Sequence, residues 1–168
     1  DNWLRHPNII SSLVSSGDLF SAARSNNYQQ YFAQTSFTDE AHLGKELRLF
    51  RRREMVRIAW RDLAGWADLN ETLSDLSALA EVCIQTALNF NYQKACERWG
   101  TPALSDGRPF NLVVLGMGKL GAWELNYSSD IDLIFAYAEQ GELKGKQEIS
   151  YGEFFTHVCR SLVRMLDE

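Results

Sequence analysis

Apolar residues recur at spacings of three and four over two long stretches of the chain. Leu43, Leu47, Phe50, Met55, Ile58 and Ala59 form one stripe, and Thr38 or Asp39 stands ahead of it as a helix cap. This predicts a helix running to about Gly65, with its arginines largely off the apolar stripe. Leu73, Leu76, Leu79, Ala80, Cys83, Ile84, Ala87 and Leu88 form a second stripe, predicting a helix over 72–99 that stops at Gly100 ahead of Pro102. Residues 1–38 show no comparable stripe. There Pro7-Asn8, Gly17-Asp18 and Ser25-Asn26-Asn27 read as turn punctuation between short helical pieces.

The pattern changes after 100–109, a Gly/Pro/Ser/Asp-rich stretch that reads as a linker. Residues 110–115 are a short apolar run rich in β-formers, expected as a buried strand. A glycine-rich turn at 116–121 leads into a short helix to about Asn126, and 131–137 is a second apolar strand. A polar loop follows at 141–146. A helix over 151–166 carries Phe154, Phe155, Val158, Leu162, Val163 and Leu166 inward. The expected architecture is α+β, with a helical region 1–100, a linker 101–109 and a second module over 110–168.

Composition narrows the class. With 45% hydrophobic and 23% charged residues, the 168-residue chain has enough apolar material for a core, which excludes overall disorder. A net charge of −5 argues against a general nucleic-acid binder. The one dense basic run, Arg48, Arg51, Arg52, Arg53 and Arg57, reads as a solvated or salt-bridged face rather than a phosphate site. No run of about 18 apolar residues spans a membrane. Cys83, Cys96 and Cys159 form neither a CxxC pair nor a zinc cluster. Cys83 and Cys96, thirteen residues apart on one predicted helix, stand roughly 20 Å apart, too far for a disulfide. Reduced thiols fit a cytoplasmic protein. The chain opens on Asp1 and closes inside a helical pattern, so it reads as a piece of something larger.

The chemistry concentrates in Gly116-Met117-Gly118-Lys119-Leu120-Gly121 and the run 124–135, Glu-Leu-Asn-Tyr-Ser-Ser-Asp-Ile-Asp-Leu-Ile-Phe. Gly116, Gly118 and Gly121 match the dinucleotide fingerprint, but only the eight residues 122–129 separate Gly121 from Asp130. A parallel crossover needs about a dozen residues or more, so that reading fails. A turn between two roughly antiparallel strands fits better, with the glycine turn and both aspartates at one end of the sheet. Alternation along a strand would put Asp130 and Asp132 on one face, about 7 Å apart. Two such carboxylates suit Mg²⁺, which favours carboxylate and phosphate oxygens; Mn²⁺ suits the same donors. Gly116, Gly118 and Gly121 let backbone N–H groups approach an anion, and Lys119 adds a point charge for a phosphate. Ser129 could orient an oxygen there or cap a turn. Glu124 reads as a surface or capping residue.

Gly118 lies twelve residues before Asp130, and Ser129-Asp130-Ile131-Asp132-Leu133 enters an apolar strand. This arrangement resembles the nucleotidyltransferase superfamily of the DNA polymerase β type, except that Lys119 stands where serine usually follows the glycine. With Lys119, the two runs closely resemble the glutamine synthetase adenylyltransferase family. The run 46–53, Glu-Leu-Arg-Leu-Phe-Arg-Arg-Arg, with 55–60, Met-Val-Arg-Ile-Ala-Trp, is similar to a helical segment of that family, as is Trp99-Gly100-Thr101-Pro102. The resemblance is strong over 43–135 and fainter on either side.

The resemblance implies a fold: a helical N-terminal part followed by a DNA polymerase β-like mixed sheet, here truncated before its third strand. It also implies two nucleotidyltransferase modules in the whole protein. One attaches AMP from ATP to a tyrosine of glutamine synthetase. The other, N-terminal, removes it by phosphorolysis and yields ADP. Met117, Asn126-Tyr127 and the arginine block resemble the N-terminal module, whereas Trp123 is more reminiscent of the C-terminal one. The expected function is therefore adenylyl removal in the regulation of nitrogen assimilation. The adenylylating half and a non-catalytic fragment docking glutamine synthetase or the PII signal protein are the alternatives. By the same resemblance Asp130 and Asp132 are catalytic metal ligands, and Gly116, Gly118, Lys119, Gly121 and Ser129 bind phosphate or nucleotide. A third carboxylate is expected on a segment this chain does not contain, so these 168 residues alone should not turn over.

Overall fold

The computed structural model describes residues 7–22, 25–144 and 148–167. Six helices are present among them: α1 (Pro7–Ser16), α2 (Ser25–Ala33), α3 (Glu40–Leu63), α4 (Leu69–Trp99), α5 (Gly118–Gly121) and α6 (Tyr151–Asp167). Four short strands join them: β1 (Val113–Gly116), β2 (Leu133–Ala136), β3 (Glu142–Leu143) and β4 (Ile149–Ser150). The class is α+β, as expected. By backbone proximity the chain separates into two compact units. One holds the described residues of Asp1–Cys83 with Gly118–Asp130. The other holds Ile84–Met117 with the described residues of Ile131–Glu168.

In the first unit, α3 starts where its cap dictates: the Asp39 carboxylate accepts the His42 N–H at 2.8 Å. Pro7-Asn8 and Ser25-Asn26-Asn27, expected as turn punctuation, lie instead in the first turns of α1 and α2. Proline fits a first helical turn because the N–H it lacks has no intrahelical partner there. Gly17, with φ at +80°, turns the chain between α1 and a single 3₁₀ turn at Asp18–Phe20. Leu13, Leu19 and Val56 pack together with Ile9, Ile10 and Trp60 around them. Tyr28, Tyr31 and Phe32 pack on Phe50, with ring centroids 4.7–5.3 Å apart.

α3 is less simply amphipathic than its stripe suggests. Leu43, Leu47, Phe50 and Ile58 are buried, but so are Glu54, Arg57 and Arg61. Arg57, 2% exposed, donates from Nε to Glu54 Oε2 and from Nη2 to Asp75 Oδ2 of α4, both at 2.6 Å. It also donates to the Tyr28 hydroxyl at 3.0 Å, and that hydroxyl donates to Glu54 at 3.1 Å. Arg61 pairs with Glu71 at 2.8 Å, and Arg53 with Asp18 and Glu54. The salt-bridged reading of the arginine block is correct for Arg53 and Arg57. The solvated reading fails for Arg57, whose charge lies under α4 rather than in water.

In the second unit, α4 ends as predicted. Gly100, at φ +101°, returns its N–H to the Cys96 carbonyl at 2.8 Å. α6 buries Tyr151, Phe154, Phe155, Val158, Ser161, Leu162 and Met165. Val163, expected inward, is exposed, and Met165 takes an inner position instead. Tyr92, Phe110, Tyr137 and Phe154 all pack against Phe155, with ring centroids 4.9–6.5 Å apart. Tyr92 also donates its hydroxyl to the Phe110 carbonyl at 2.7 Å.

The strands are shorter than expected. Residues 110–112 and 131–132 lie outside β1 and β2. The expected polar loop holds β3, which pairs with β4; residues 145 and 146 of that loop lie outside the described residues. β1 and β2 pair antiparallel, Val113 opposite Ala136 through Gly116 opposite Leu133. Directly opposed residues share a face. Val113, Leu115, Ile134 and Ala136 therefore form one face, and all four are exposed. Val114, Phe135, Gly116 and Leu133 form the other, which is half-buried. The expectation of a buried strand fails because only one face of this ribbon is covered.

Candidate functional site

The residues singled out by sequence divide between the two units. Gly116 and Asp132 belong to the second; Gly118, Lys119, Gly121, Ser129 and Asp130 belong to the first.

Within the second unit, pairing continues one step beyond the strands. The Met117 N–H donates to the Asp132 carbonyl at 2.9 Å. That bond brings the start of the glycine turn and Asp132 to the same end of the β1–β2 ribbon, as expected for antiparallel strands. Asp132 is exposed and precedes β2 rather than lying in it. The two-residue alternation argument for Asp130 and Asp132 therefore does not apply, since neither aspartate lies in a strand.

Within the first unit, Gly118 takes φ +54°, a left-handed conformation that suits glycine, and opens α5. α5 is a single turn, not a helix to Asn126. Its carbonyls at Gly118, Leu120 and Lys119 are closed by the N–H groups of Ala122, Trp123 and Glu124. So short a helix has little dipole to offer an anion. What remains for an anion is the exposed, glycine-rich backbone and the exposed Lys119 side chain. Trp123 ends the turn at φ +60° with its ring exposed, an uncommon conformation for a bulky residue.

The following segment is held by its own side chains. Asn126 Oδ1 accepts from the Ser128 N–H and hydroxyl, both at 3.2 Å, and from the Ser129 hydroxyl at 2.8 Å. Asn126 N–H donates to Ser129 Oγ at 3.1 Å, and Ser129 N–H to the Asn126 carbonyl at 3.1 Å. Ser129 thus closes a turn, one of the two roles open to it from sequence. Asp130 follows immediately and is exposed. Asn126, Tyr127, Asp62 and Ser77 were missed as contributors. Asn126 before two serines is a legible side-chain turn signal. Tyr127 to Asp62 and Leu125 to Ser77 are contacts 65 and 48 residues apart, with no local sequence pattern to mark them.

The Asp130 and Asp132 carboxylates take part in no side-chain hydrogen bond or ion pair among the described residues. No group of three or more His, Cys, Asp or Glu side chains is arranged to hold a metal among those residues. Two free carboxylates are nonetheless the hard oxygen donors that Mg²⁺ accepts while keeping waters and binding phosphate oxygens. The donor chemistry of each aspartate, taken by itself, fits such an ion.

Comparison with known proteins gives a consistent result. The family model described as glutamate-ammonia ligase adenylyltransferase matches residues 1–168. The bifunctional glutamine synthetase adenylyltransferase/adenylyl-removing enzyme of Nitrosococcus oceani is 50% identical over 171 residues, covering 99% of this chain and 18% of that protein. The protein of the same description from Thioalkalivibrio sulfidiphilus is 47% identical over 98% of this chain and 17% of its own length. That from Pseudomonas aeruginosa is 53% identical over 77% of this chain and 13% of its own length. The chain spans less than a fifth of the length of these curated relatives.

Proposed function

The chain belongs to the glutamate-ammonia ligase adenylyltransferase family, and from that premise we propose that it is part of the adenylyl-removing module of a bifunctional enzyme acting on glutamine synthetase. The reaction is phosphorolysis. An oxygen of inorganic phosphate attacks the phosphorus of tyrosine-linked AMP and the phosphorus–tyrosine oxygen bond breaks. ADP forms and the tyrosine oxygen takes up a proton. The observation that supports the reading most is the exposed glycine turn at Gly118–Gly121 with the exposed, unengaged Asp130 carboxylate of the same unit.

On this reading Asp130 and Asp132 hold a divalent ion, Mg²⁺ or Mn²⁺, which offsets charge developing on the transferred phosphoryl group. Lys119 binds a phosphate oxygen as a point charge, and the N–H groups around Gly116, Gly118 and Gly121 approach the same anion. Ser129 sets the direction in which Asp130 leaves the turn. Residues 1–100 act as helical support or as a docking region for glutamine synthetase or the PII protein, 101–109 as a linker, and 110–168 as a partial nucleotidyltransferase module. With only two of the expected carboxylates, the 168-residue chain alone does not turn over. The whole enzyme works in the cytoplasm on protein and nucleotide substrates, without nucleic acid or membrane. No helix among the described residues is long and apolar enough to cross a membrane.

Asp130→Asn/Asp132→Asn in the full-length enzyme tests the assignment. Loss of adenylyl removal by about a hundredfold or more, with glutamine synthetase still bound, is expected of residues acting in the transition state. Full activity with lost binding would instead favour a docking function.

A further inference from the structure

We propose that Asp62, acting through Tyr127, is a positioning residue for the Asp130 carboxylate; the proposal rests on the metal-binding role assigned to Asp130 above. Asp130 is exposed and has no side-chain partner among the described residues, so its direction is set by the backbone that delivers it. That backbone is fixed at two points on the long helices of the same unit. Leu125, itself buried, donates its N–H to Ser77 Oγ of α4 at 3.2 Å, and Ser77 commits its own proton to the Leu73 carbonyl at 2.8 Å. Two residues on, the Tyr127 hydroxyl donates to Asp62 Oδ2 of α3 at 3.2 Å. Partial burial, with the Asp62 charge beside it, holds the Tyr127 hydroxyl well above the ordinary tyrosine range, so it remains a donor at any working pH.

The span from Tyr127 to Asp130 has little freedom of its own. Asn126 gathers the Ser128 and Ser129 groups, so the turn moves as one piece. The anchors are equally constrained. Asp62 follows Arg61, which pairs with Glu71, and Ser77 lies two residues past Asp75, which pairs with Arg57. Removing the Tyr127 bond would leave the turn tied to the long helices by the Leu125 bond to Ser77 alone and loosen the direction in which Asp130 leaves it. Partners that orient a metal ligand typically change metal affinity about 10- to 100-fold when removed.

Mn²⁺ binding to the full-length protein, followed by electron paramagnetic resonance, tests this without requiring turnover. Asp130→Asn serves as the reference for loss of the ligand. Tyr127→Phe and Asp62→Ala are each expected to weaken Mn²⁺ about tenfold. The double variant should be no weaker than either single one, because both remove the same bond. The pair is at the surface, so the melting temperature should stay that of the wild type. Wild-type Mn²⁺ affinity in both single variants, or losses that add in the double variant, would overturn the positioning role. Wild-type protein whose Mn²⁺ binding is unchanged by Asp130→Asn would remove the metal assignment itself, and this proposal with it.

Discussion

At the residue scale, the feature least visible in the sequence is the buried charge under α4. Arg57, Glu54, Asp75 and Tyr28 satisfy one another, and each is almost fully enclosed. Such a network is poor evidence for net stability, but removing one partner strands the rest. Arg57→Met is expected to destabilise the fold by about 3–5 kcal/mol in urea denaturation, because it leaves the buried Asp75 carboxylate without its cation and Glu54 with Arg53 alone. A change within about 0.5 kcal/mol would mean that water or rearrangement replaces the guanidinium. The sequence shows a run of arginines beside acids. It does not show which arginine faces α4, because the helix-period stripe counts only apolar residues. Arg57 neighbours Ile58 and shares its buried side.

Acid sensitivity also resolves at this scale. The backbone N–H of His42 holds the Asp39 carboxyl below its ordinary value. Partial burial works against Asp18, but hydrogen bonds from Ser16 and Arg53 and the Arg53 charge outweigh it and hold that carboxyl low as well. Stability from these two groups is therefore present above about pH 4 and lost as pH falls through their lower folded values. Asp75 works in the opposite sense. Burial, ahead of its Arg57 partner, pushes its carboxyl up, so its ionised form disfavours folding above the raised value and that cost fades on acidification. The melting temperature of Asp39→Ala should fall less steeply than that of the wild type below about pH 4. Parallel curves would show that the cap contributes nothing there.

At the element scale, period was readable and cover was not. The limits of α3, α4 and α6 follow from stripes, the Asp39 cap and Gly100, all local signals. β1 and β2 shrank to four residues each because pairing between only two strands supports a short ladder. α5 shrank to one turn because four successive residues, Gly118 to Gly121, include two glycines, which are poor helix formers. In α6 the expected inner face was nearly right; one position moved, from Val163 to Met165. Phe154→Ala is accordingly expected to cost about 3–5 kcal/mol in thermal or chemical denaturation, while Val163→Ala stays within about 0.5 kcal/mol. Equal losses would mean that the helix presents a different face.

At the scale of the whole molecule, the α+β class and the family were legible because two motif blocks, the arginine-rich run of α3 and the glycine–aspartate segment before β2, occur in order. The candidate site was legible as residues and less so as geometry. Gly118, Asp130 and Asp132 carry their chemistry in their identity, whereas the Tyr127–Asp62 and Leu125–Ser77 bonds arise only when distant helices fold beneath the turn. The relatives carry two activities in one long chain by their description, and this chain covers less than a fifth of such a protein. Direction of transfer is therefore the central question.

The most direct measurement incubates the full-length enzyme with adenylylated glutamine synthetase, Mg²⁺ and inorganic phosphate and follows ADP, beside an Asp130→Ala/Asp132→Ala variant that keeps the rest of the chain. ADP from the wild type and none from the variant is the predicted result. ADP from both, or loss in the variant of AMP attachment from ATP with phosphorolysis intact, would contradict the assignment of this segment to adenylyl removal.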